Sequence, residues 1–402
     1  MLEISQLRAF SQLPPPLLTA YVDSNPGKQS NRGPSPEYMI WLNSAGGVAA
    51  AGVAENQRKL FIEQLERVQT FLRDSVTLPK GALIFAGADA WTYVPLRVEV
   101  KNELHWGKPL LFPLLGLFGK RKPCSIVVVD HAGVRFFRHW LGEMTELEER
   151  KFEIDISQWR KKDMGKVARA RESSLRGARE MKKTRGSARD TFEHRMDAQY
   201  RRLCGEVARR ARELSGEQGL AGLFLVGPDR LIEPIAEALP REFESRLVMM
   251  NEDLGRIFSP ALEEHIGPAV AQWEQAQELE AVEALLADAN GVVTGIDSTL
   301  AELQRGSVRI LVVPQQFNIP LSQCAKCGWM DRSAADACPV CGEVRHPVDL
   351  RESLPDLAWS HGAEIEVVGG EASIRLAGAG GIAGWLRQPK EAGANRSVAR
   401  AG

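Results

Sequence analysis

The spacing of apolar and polar positions changes several times along the chain, and each change predicts a new element. Leu17 to Val22 is a short apolar run that reads as a buried strand. Leu60, Phe61, Leu65, Val68 and Leu72 recur at helical spacing, and Leu83 to Ala86 reads as a second strand. Between these, Asn25 to Pro36 is rich in Gly, Pro, Ser and Asn, the composition of a loop. These elements predict a small α/β unit over residues 1–120.

Gly119-Lys120-Arg121-Lys122-Pro123 is a basic, Pro-ended break and predicts a boundary. Beyond it, Ser125 to Val129 and Val134 to Phe137 are strand-like runs joined by Asp130-His131-Ala132-Gly133, which predicts a hairpin. Leu223 to Val226 is a further buried strand closed by Gly227-Pro228; a helix over Leu231 to Leu239 and a strand over Arg246 to Met250 follow. Strands alternating with helices predict an α/β layer domain over residues 121–258. A third domain is expected over residues 259–402. In it, Leu262, Ile266, Val270 and Trp273, then Leu279, Val282 and Leu286, follow helical spacing. Thr299-Leu300-Ala301-Glu302 predicts a capping box opening a helix that Gly306 ends, with a strand over Val308 to Val313. A helix over Leu350 to His361, a strand over Ile365 to Val368 and a glycine-rich close from Gly378 to Gly384 complete it. The polar tail from Pro389 is expected to fray.

Bulk composition adds little. Lys and Arg number 51 against 52 Asp and Glu, and 44% of the 402 residues are hydrophobic, so the chain is neither fibrous nor globally disordered. The start, Met1-Leu2-Glu3-Ile4-Ser5, has no secretory character. The most apolar stretch, Leu110 to Phe118, is interrupted by Pro113 and Gly116 and falls far short of the roughly 20 residues that span a bilayer. No membrane association and a cytoplasmic location are the expectation.

The distribution of charge is uneven. Residues 160–212 carry 18 Lys or Arg against 7 Asp or Glu. Such an excess neutralises phosphates and binds nucleic acid through counterion release. Lys182, Lys183, Arg185, Gly186, Ser187 and Arg189 form the heart of this basic helical loop and are the candidate RNA contacts. Interleaved aromatics are lacking, so contact would be to the backbone; a solvated helix face or a connector is the plainer alternative. From Glu252 to Asp288 the balance reverses, to nine acidic residues and one arginine, Arg256.

Cys324, Cys327, Cys338 and Cys341 form C-x2-C-x10-C-x2-C. Each C-x2-C pair clamps one edge of a tetrahedral ion, and Gly328 and Gly342 follow each pair where a tight turn is needed. In a reducing compartment this spacing favours structural Zn2+, held by a ribbon over residues 322–346, over two disulfides or four unrelated thiols. Cys124 and Cys204 read as ordinary thiols. Gly378 to Gly384 lacks the Lys-Ser or Lys-Thr of a phosphate loop. His131, His139 and His194 are scattered, and no nucleophile–base arrangement stands out, so no catalytic residue is assigned.

The order of elements in the last third is more specific. Gly295-Ile296-Asp297-Ser298-Thr299-Leu300, Leu303-Gln304-Arg305-Gly306-Ser307-Val308 and Ile310-Leu311-Val312-Val313 are followed by the cysteine ribbon. Gly362-Ala363-Glu364 leading into Ile365 to Val368, and Gly380-Gly381-Ile382-Ala383-Gly384 with Leu386-Arg387, come after it. This order resembles the last domain of the archaeo-eukaryotic peptide-chain release factor and Pelota family. Ile126 to Asp130, Gly133 to Phe137, Leu141-Gly142-Glu143 and Leu223 to Pro228 resemble its central domain. The resemblance covers about Cys124 to Arg387 and leaves the first domain matched by position only. It implies an α/β protein of three domains, with a ribonuclease-H-like central domain and a C-terminal α/β domain holding an inserted zinc ribbon. It places the chain in a bacterial branch of the family, with the ribosome (rRNA at the A site) and a translational GTPase as expected partners. Ribosome rescue, translation quality control or hibernation is the expected role. The family's Gly-Gly-Gln loop occurs nowhere in this sequence; Thr184-Arg185-Gly186-Ser187-Ala188 stands in its place. The alternatives are a peptidyl-tRNA hydrolase with a non-standard loop, a nuclease on the ribonuclease-H-like domain, and a non-ribosomal RNA-binding or interaction protein.

Overall fold

The computed structural model describes residues 4–120, 123–152, 184–254, 257, 259–288 and 290–387. Two compact units form, one from residues 122–267 and the other from residues 1–121 together with 268–402.

The unit of residues 122–267 is built on five strands: β5 (Cys124–Val129), β6 (Gly133–Trp140), β7 (Glu143–Lys151), β8 (Gly222–Val226) and β9 (Leu247–Met250). Their order is β7-β6-β5-β8-β9; the first three are antiparallel, and β8 and β9 run parallel to β5. This is the ribonuclease-H-like arrangement. The predicted hairpin is thus the start of a three-stranded meander. β7 escapes the hydrophobic pattern because its sequence, EMTELEERK, presents charge on both faces. It is turned back by Leu141 and Gly142 at φ 50° and 70°. One sheet face is covered by α5 (Thr184–Glu217), α6 (Asp229–Ala238) and Phe243. Cys204, Val207, Ala208 and Ala211 of α5 and Ile232 and Ile235 of α6 pack on Val127, Val129, Phe136 and Leu225. From the other face, Arg135 donates to the Ile257 carbonyl at 3.0 Å.

The second unit has two larger sheets and a small one. β1 (Leu17–Val22), β2 (Gly81–Gly87), β3 (Trp91–Leu96) and β4 (Glu103–Gly107) form an antiparallel sheet of order β3-β2-β1-β4. It is covered by α2 (Glu37–Gly52) and α3 (Glu55–Asp74), whose Leu42, Phe61, Leu65, Val68 and Leu72 pack on Ala20, Val22, Ala82 and Ile84. α1 is Ile4–Ser11. β10 (Val292–Thr294), β11 (Val308–Pro314), β15 (Glu364–Val368) and β16 (Ala383–Leu386) form the other large sheet, of order β10-β16-β11-β15. Here β11 and β15 are parallel. Between them in sequence, β12 (Pro320–Cys324), β13 (Met330–Asp331) and β14 (Arg345–Asp349) make the small antiparallel sheet, of order β13-β12-β14. Four helices belong to this part of the chain: α7 (Ser259–Ala287), α8 (Ile296–Gln304), α9 (Leu350–Ser360) and α10 (Gly370–Gly378). α4 (Phe112–Lys120), in the chain's first third, packs on β15, with Gly116 facing Val367. The two parts are joined by a bidentate ion pair: Arg351 donates to Glu103 at 2.6 and 3.0 Å, 248 residues away in sequence.

Several expectations are corrected. The two predicted acidic helices are one, α7, which runs through Gly267-Pro268. Thr299 does not cap a helix: α8 begins earlier, after Gly295 at φ 90°. Thr299 is buried inside it, and its hydroxyl donates to the Ile382 carbonyl at 3.4 Å. The glycine-rich close is a packing device. A Cβ on Gly380, at φ 111°, would lie 2.7 Å from the Gly295 Cα. Gly306, at φ 77°, ends α8 as expected. The polar tail from Pro389 lies outside the described residues.

Candidate metal centre

The four cysteines lie on the small sheet of β12, β13 and β14 and on its turns. The two C-x2-C turns repeat one pattern. In the first, the N–H groups of Lys326 and Cys327 point at the Cys324 sulfur at 3.4 and 3.5 Å, and Gly328 N–H donates to the Cys324 carbonyl at 3.1 Å. In the second, Val340 N–H points at the Cys338 sulfur at 3.4 Å, and Gly342 N–H donates to the Cys338 carbonyl at 2.9 Å. Gly328 and Gly342 take φ 74° and 76°, a region glycine enters without strain, so each turn can fold back on its sulfurs.

All four Sγ atoms lie within 4.8 Å of one another. Cys324 and Cys341 approach to 3.4 Å, and Cys327 reaches Cys338 and Cys341 at 3.5 Å. A disulfide needs about 2.05 Å, so no pair is bonded. A tetrahedral ion with metal–sulfur bonds of about 2.3 Å sets sulfur–sulfur edges of roughly 3.8 Å, a value that lies between the shortest edge here, 3.4 Å, and the 4.8 Å limit on the longest. Four such cysteines could hold a metal ion, and with every corner supplied by protein the site is closed. Electrostatics points the same way. The Cys327 N–H, with the Lys326 N–H and the neighbouring sulfurs, brings the Cys324 thiol down to about 6. Against the Trp329 N–H, which lowers it, desolvation and the three neighbouring sulfurs push Cys327 up to about 12. A cation among the four sulfurs would favour the thiolate form of each.

The braces that hold the turns leave no mark in the sequence. Arg345, its side chain 1% exposed, donates to the Ser322 carbonyl at 2.8 Å and to the Ala335 carbonyl at 3.5 Å, and pairs with the Asp331 carboxylate. Burial raises the Asp331 carboxyl, but Arg345, the Ser333 N–H and the Trp329 indole outweigh it and hold it below its ordinary value. Two contacts fasten the ribbon to α8. The Gln304 amide exchanges two hydrogen bonds with the Met330 backbone, at 2.8 and 2.7 Å, as a neighbouring strand would. Arg332 donates to Asp297 at 2.9 Å and keeps its carboxyl below the usual range. A glutamine that faces a strand 26 positions away leaves no periodic signal.

The basic segment divides. Lys182 and Lys183 lie outside the described residues. Arg185, Gly186, Ser187 and Arg189 fall within α5, so the loop expected there is helical backbone. In the described part of α5, Arg202 pairs with Glu206, Arg209 with Glu213, Arg210 with Glu148 and Glu213, and Arg212 with Glu242. Much of the charge in that half of the expected basic strip is internally neutralised. Asp130, the strand-end carboxylate, caps its own turn through the Ala132 and Gly133 N–H groups at 2.7 and 2.8 Å. Among the described residues the four cysteines form the one cluster of potential metal ligands, and no helix is long and apolar enough to cross a membrane.

Residues 109–253 match the family model described as bacterial archaeo-eukaryotic release factor family 10. No curated protein matches the chain. Among solved structures, the chain is similar to archaeal Pelota in a model of ribosome-bound Pelota with ABCE1 (13% identity, 96% of this chain and 94% of that one, TM-score 0.41). It is also similar to the archaeal translation termination factor aRF1 (15%, 96% of each chain, TM-score 0.24). The C-terminal domain of a peptide chain release factor from Methanosarcina mazei is a further match (24%, 33% of this chain and 97% of that one, TM-score 0.22). The family match falls on the five-stranded unit with its ribonuclease-H-like strand order.

Proposed function

We propose that the protein is a cytoplasmic release-factor-like factor that occupies the ribosomal A site in rescue, quality control or hibernation, without itself releasing the peptide. The observation that carries this reading is the family match over residues 109–253 in a chain that contains no Gly-Gly-Gln. The domain is kept while the tripeptide that serves peptide release is absent. The positive excess of residues 160–212 supports an rRNA-facing role for Lys182, Lys183, Arg185, Gly186, Ser187 and Arg189, and a translational GTPase is the expected further partner. The ion held by Cys324, Cys327, Cys338 and Cys341 is Zn2+, because four thiolates in a closed tetrahedral site suit a redox-inert ion. Its part is structural: bound metal fixes the two turns and, through them, the ribbon.

The test is co-sedimentation with bacterial ribosomes over a salt series, with a charge-reversed Lys182/Lys183/Arg185/Arg189 variant alongside. Saturable binding that weakens with salt and in the variant is expected, with no peptidyl-tRNA cleavage on the same complexes. Absence of binding at every salt concentration overturns the ribosomal reading. Cleavage that is lost when Arg185-Gly186-Ser187 is replaced makes the protein a hydrolase instead. Elemental analysis should find about one zinc per chain.

A further inference from the structure

α3 uses two faces. Phe61, Leu65, Val68 and Leu72 are buried, while Glu63, Glu66, Arg67, Thr70 and Asp74 follow one another at helical spacing along an outer stripe. That stripe borders β3, and together they enclose an open groove of about 720 Å³ that reaches Trp91. Its floor is aromatic. Phe71 meets Trp91 edge-on at 5.4 Å and Tyr93 at 4.9 Å, and all three rings are half-buried. Its rim is acidic: Glu63, Glu66 and Asp74 line it with a single cation, Arg67. Glu63 has only a distant partner, Lys59 at 4.0 Å, and Glu66 and Asp74 form no ion pair among the described residues.

Arg67 shows what this groove accepts. Its guanidinium lies over the Trp91 ring, 4.4 Å from the centroid, although carboxylates stand on the same stripe. An indole face flanked by carboxylates attracts a planar cation twice, through the ring quadrupole and through charge. With Arg67 in place the rim still carries more negative than positive charge. RNA would meet repulsion from that rim, although the aromatic floor alone could stack bases.

We propose that the groove between α3 and β3 binds an arginine-rich peptide segment of a partner protein, with Arg67 as the internal occupant of the guanidinium position on Trp91. The groove is lined from α3, Ser75 and β3, apart from the basic residues 160–212 proposed to face rRNA.

The experiment is fluorescence anisotropy of a labelled hexaarginine peptide with the full-length protein at physiological salt, with hexaglutamate and a single-stranded oligoribonucleotide as comparison probes. Saturable binding of hexaarginine, sensitive to the groove variants, is expected. Trp91→Leu leaves net charge unchanged and should weaken binding about threefold to fivefold, the worth of one exposed cation–π contact. Glu66→Gln combined with Asp74→Asn, both at exposed positions, should weaken it about tenfold. Arg67→Gln should strengthen it. Failure of the peptide to bind overturns the proposal. So does binding that neither Trp91→Leu nor the double variant changes, which would place the peptide elsewhere. Oligoribonucleotide binding that Trp91→Leu abolishes would overturn it in favour of a base-stacking surface.

Discussion

Replacing Arg345 with Met removes the guanidinium that braces the ribbon and keeps the volume of the side chain nearly constant. The loss is therefore one of hydrogen bonds and charge. In the parent, Arg345 satisfies the Ser322 and Ala335 carbonyls and neutralises Asp331. Breaking a buried pair by removing one member costs about 3–5 kcal/mol. Asp331 is 22% exposed and keeps the Ser333 N–H and Trp329 indole as donors, so the lower end, about 3 kcal/mol, applies. With the ribbon folding around the proposed ion, that loss would appear directly as weaker metal binding. A loss of about 3 kcal/mol is about a hundredfold in affinity. The assay is zinc transfer to a chromophoric chelator of known affinity, with circular dichroism of the remaining fold as control, since Arg345 lies outside the sheet packed by α7 and α10. Arg345→Lys, which retains the charge but loses the fork, should fall between the two. Zinc affinity in Arg345→Met within about threefold of the parent, less than about 1 kcal/mol, would refute the bracing role.

Three further outcomes are expected. Gly380→Ala should lower stability by about 2–4 kcal/mol, because φ 111° is strained for alanine and its Cβ would press on the Gly295 backbone. Gly378→Ala, with nothing within 4 Å, should stay within about 1 kcal/mol of the parent; comparison of melting temperatures checks both. A double-mutant cycle on Glu103 and Arg351 should show a coupling of about 1–2 kcal/mol in denaturant unfolding, and additivity would mean that the bidentate pair contributes nothing. Glu148→Gln should destabilise the five-stranded unit by about 1 kcal/mol at neutral pH. Burial raises the Glu148 carboxyl, but Arg210 and Arg150 outweigh it and leave it below its ordinary value. Its stabilisation is therefore complete above the unfolded carboxylate range and disappears as pH falls through the lower folded value, so the two proteins should converge in stability in acid.

The parts legible in sequence are those whose chemistry is local. Two C-x2-C pairs, each followed by a glycine, specify a knuckle without reference to the rest of the chain, and both glycines take the positive φ that the turn demands. Buried strands such as Cys124–Val129 and Gly222–Val226 stand out as unbroken apolar runs. α2 does not, because its EYMIWLNSAGGVAAAG sequence is apolar or small on every side and has no strongly polar face to give a period. α7 reads as two helices because Glu274-Gln275-Ala276-Gln277-Glu278 carries no large apolar residue between Trp273 and Leu279, while the helical backbone continues through it. Thr299 and its neighbours match a capping box, but tertiary packing claims the hydroxyl instead. The braces Arg345, Gln304 and Asp297 join residues distant in sequence and carry no local signature. In the basic segment, the partners of Arg210 and Arg212 include Glu148 and Glu242, which only the fold brings near.

The unit of residues 122–267 is continuous in sequence, whereas the other unit is assembled from segments on both sides of it. This sets an order of events during synthesis. α4 carries Phe112, Leu114 and Leu115, all buried in the finished protein, yet the strand it packs on, Glu364–Val368, is made only after the whole middle unit. The nascent chain therefore makes that unit while the side of α4 that packs on Glu364–Val368 is still uncovered. For that interval α4 is open to chaperones and to misassociation, and emergence of its partner strand from the ribosome is the step that lets it close.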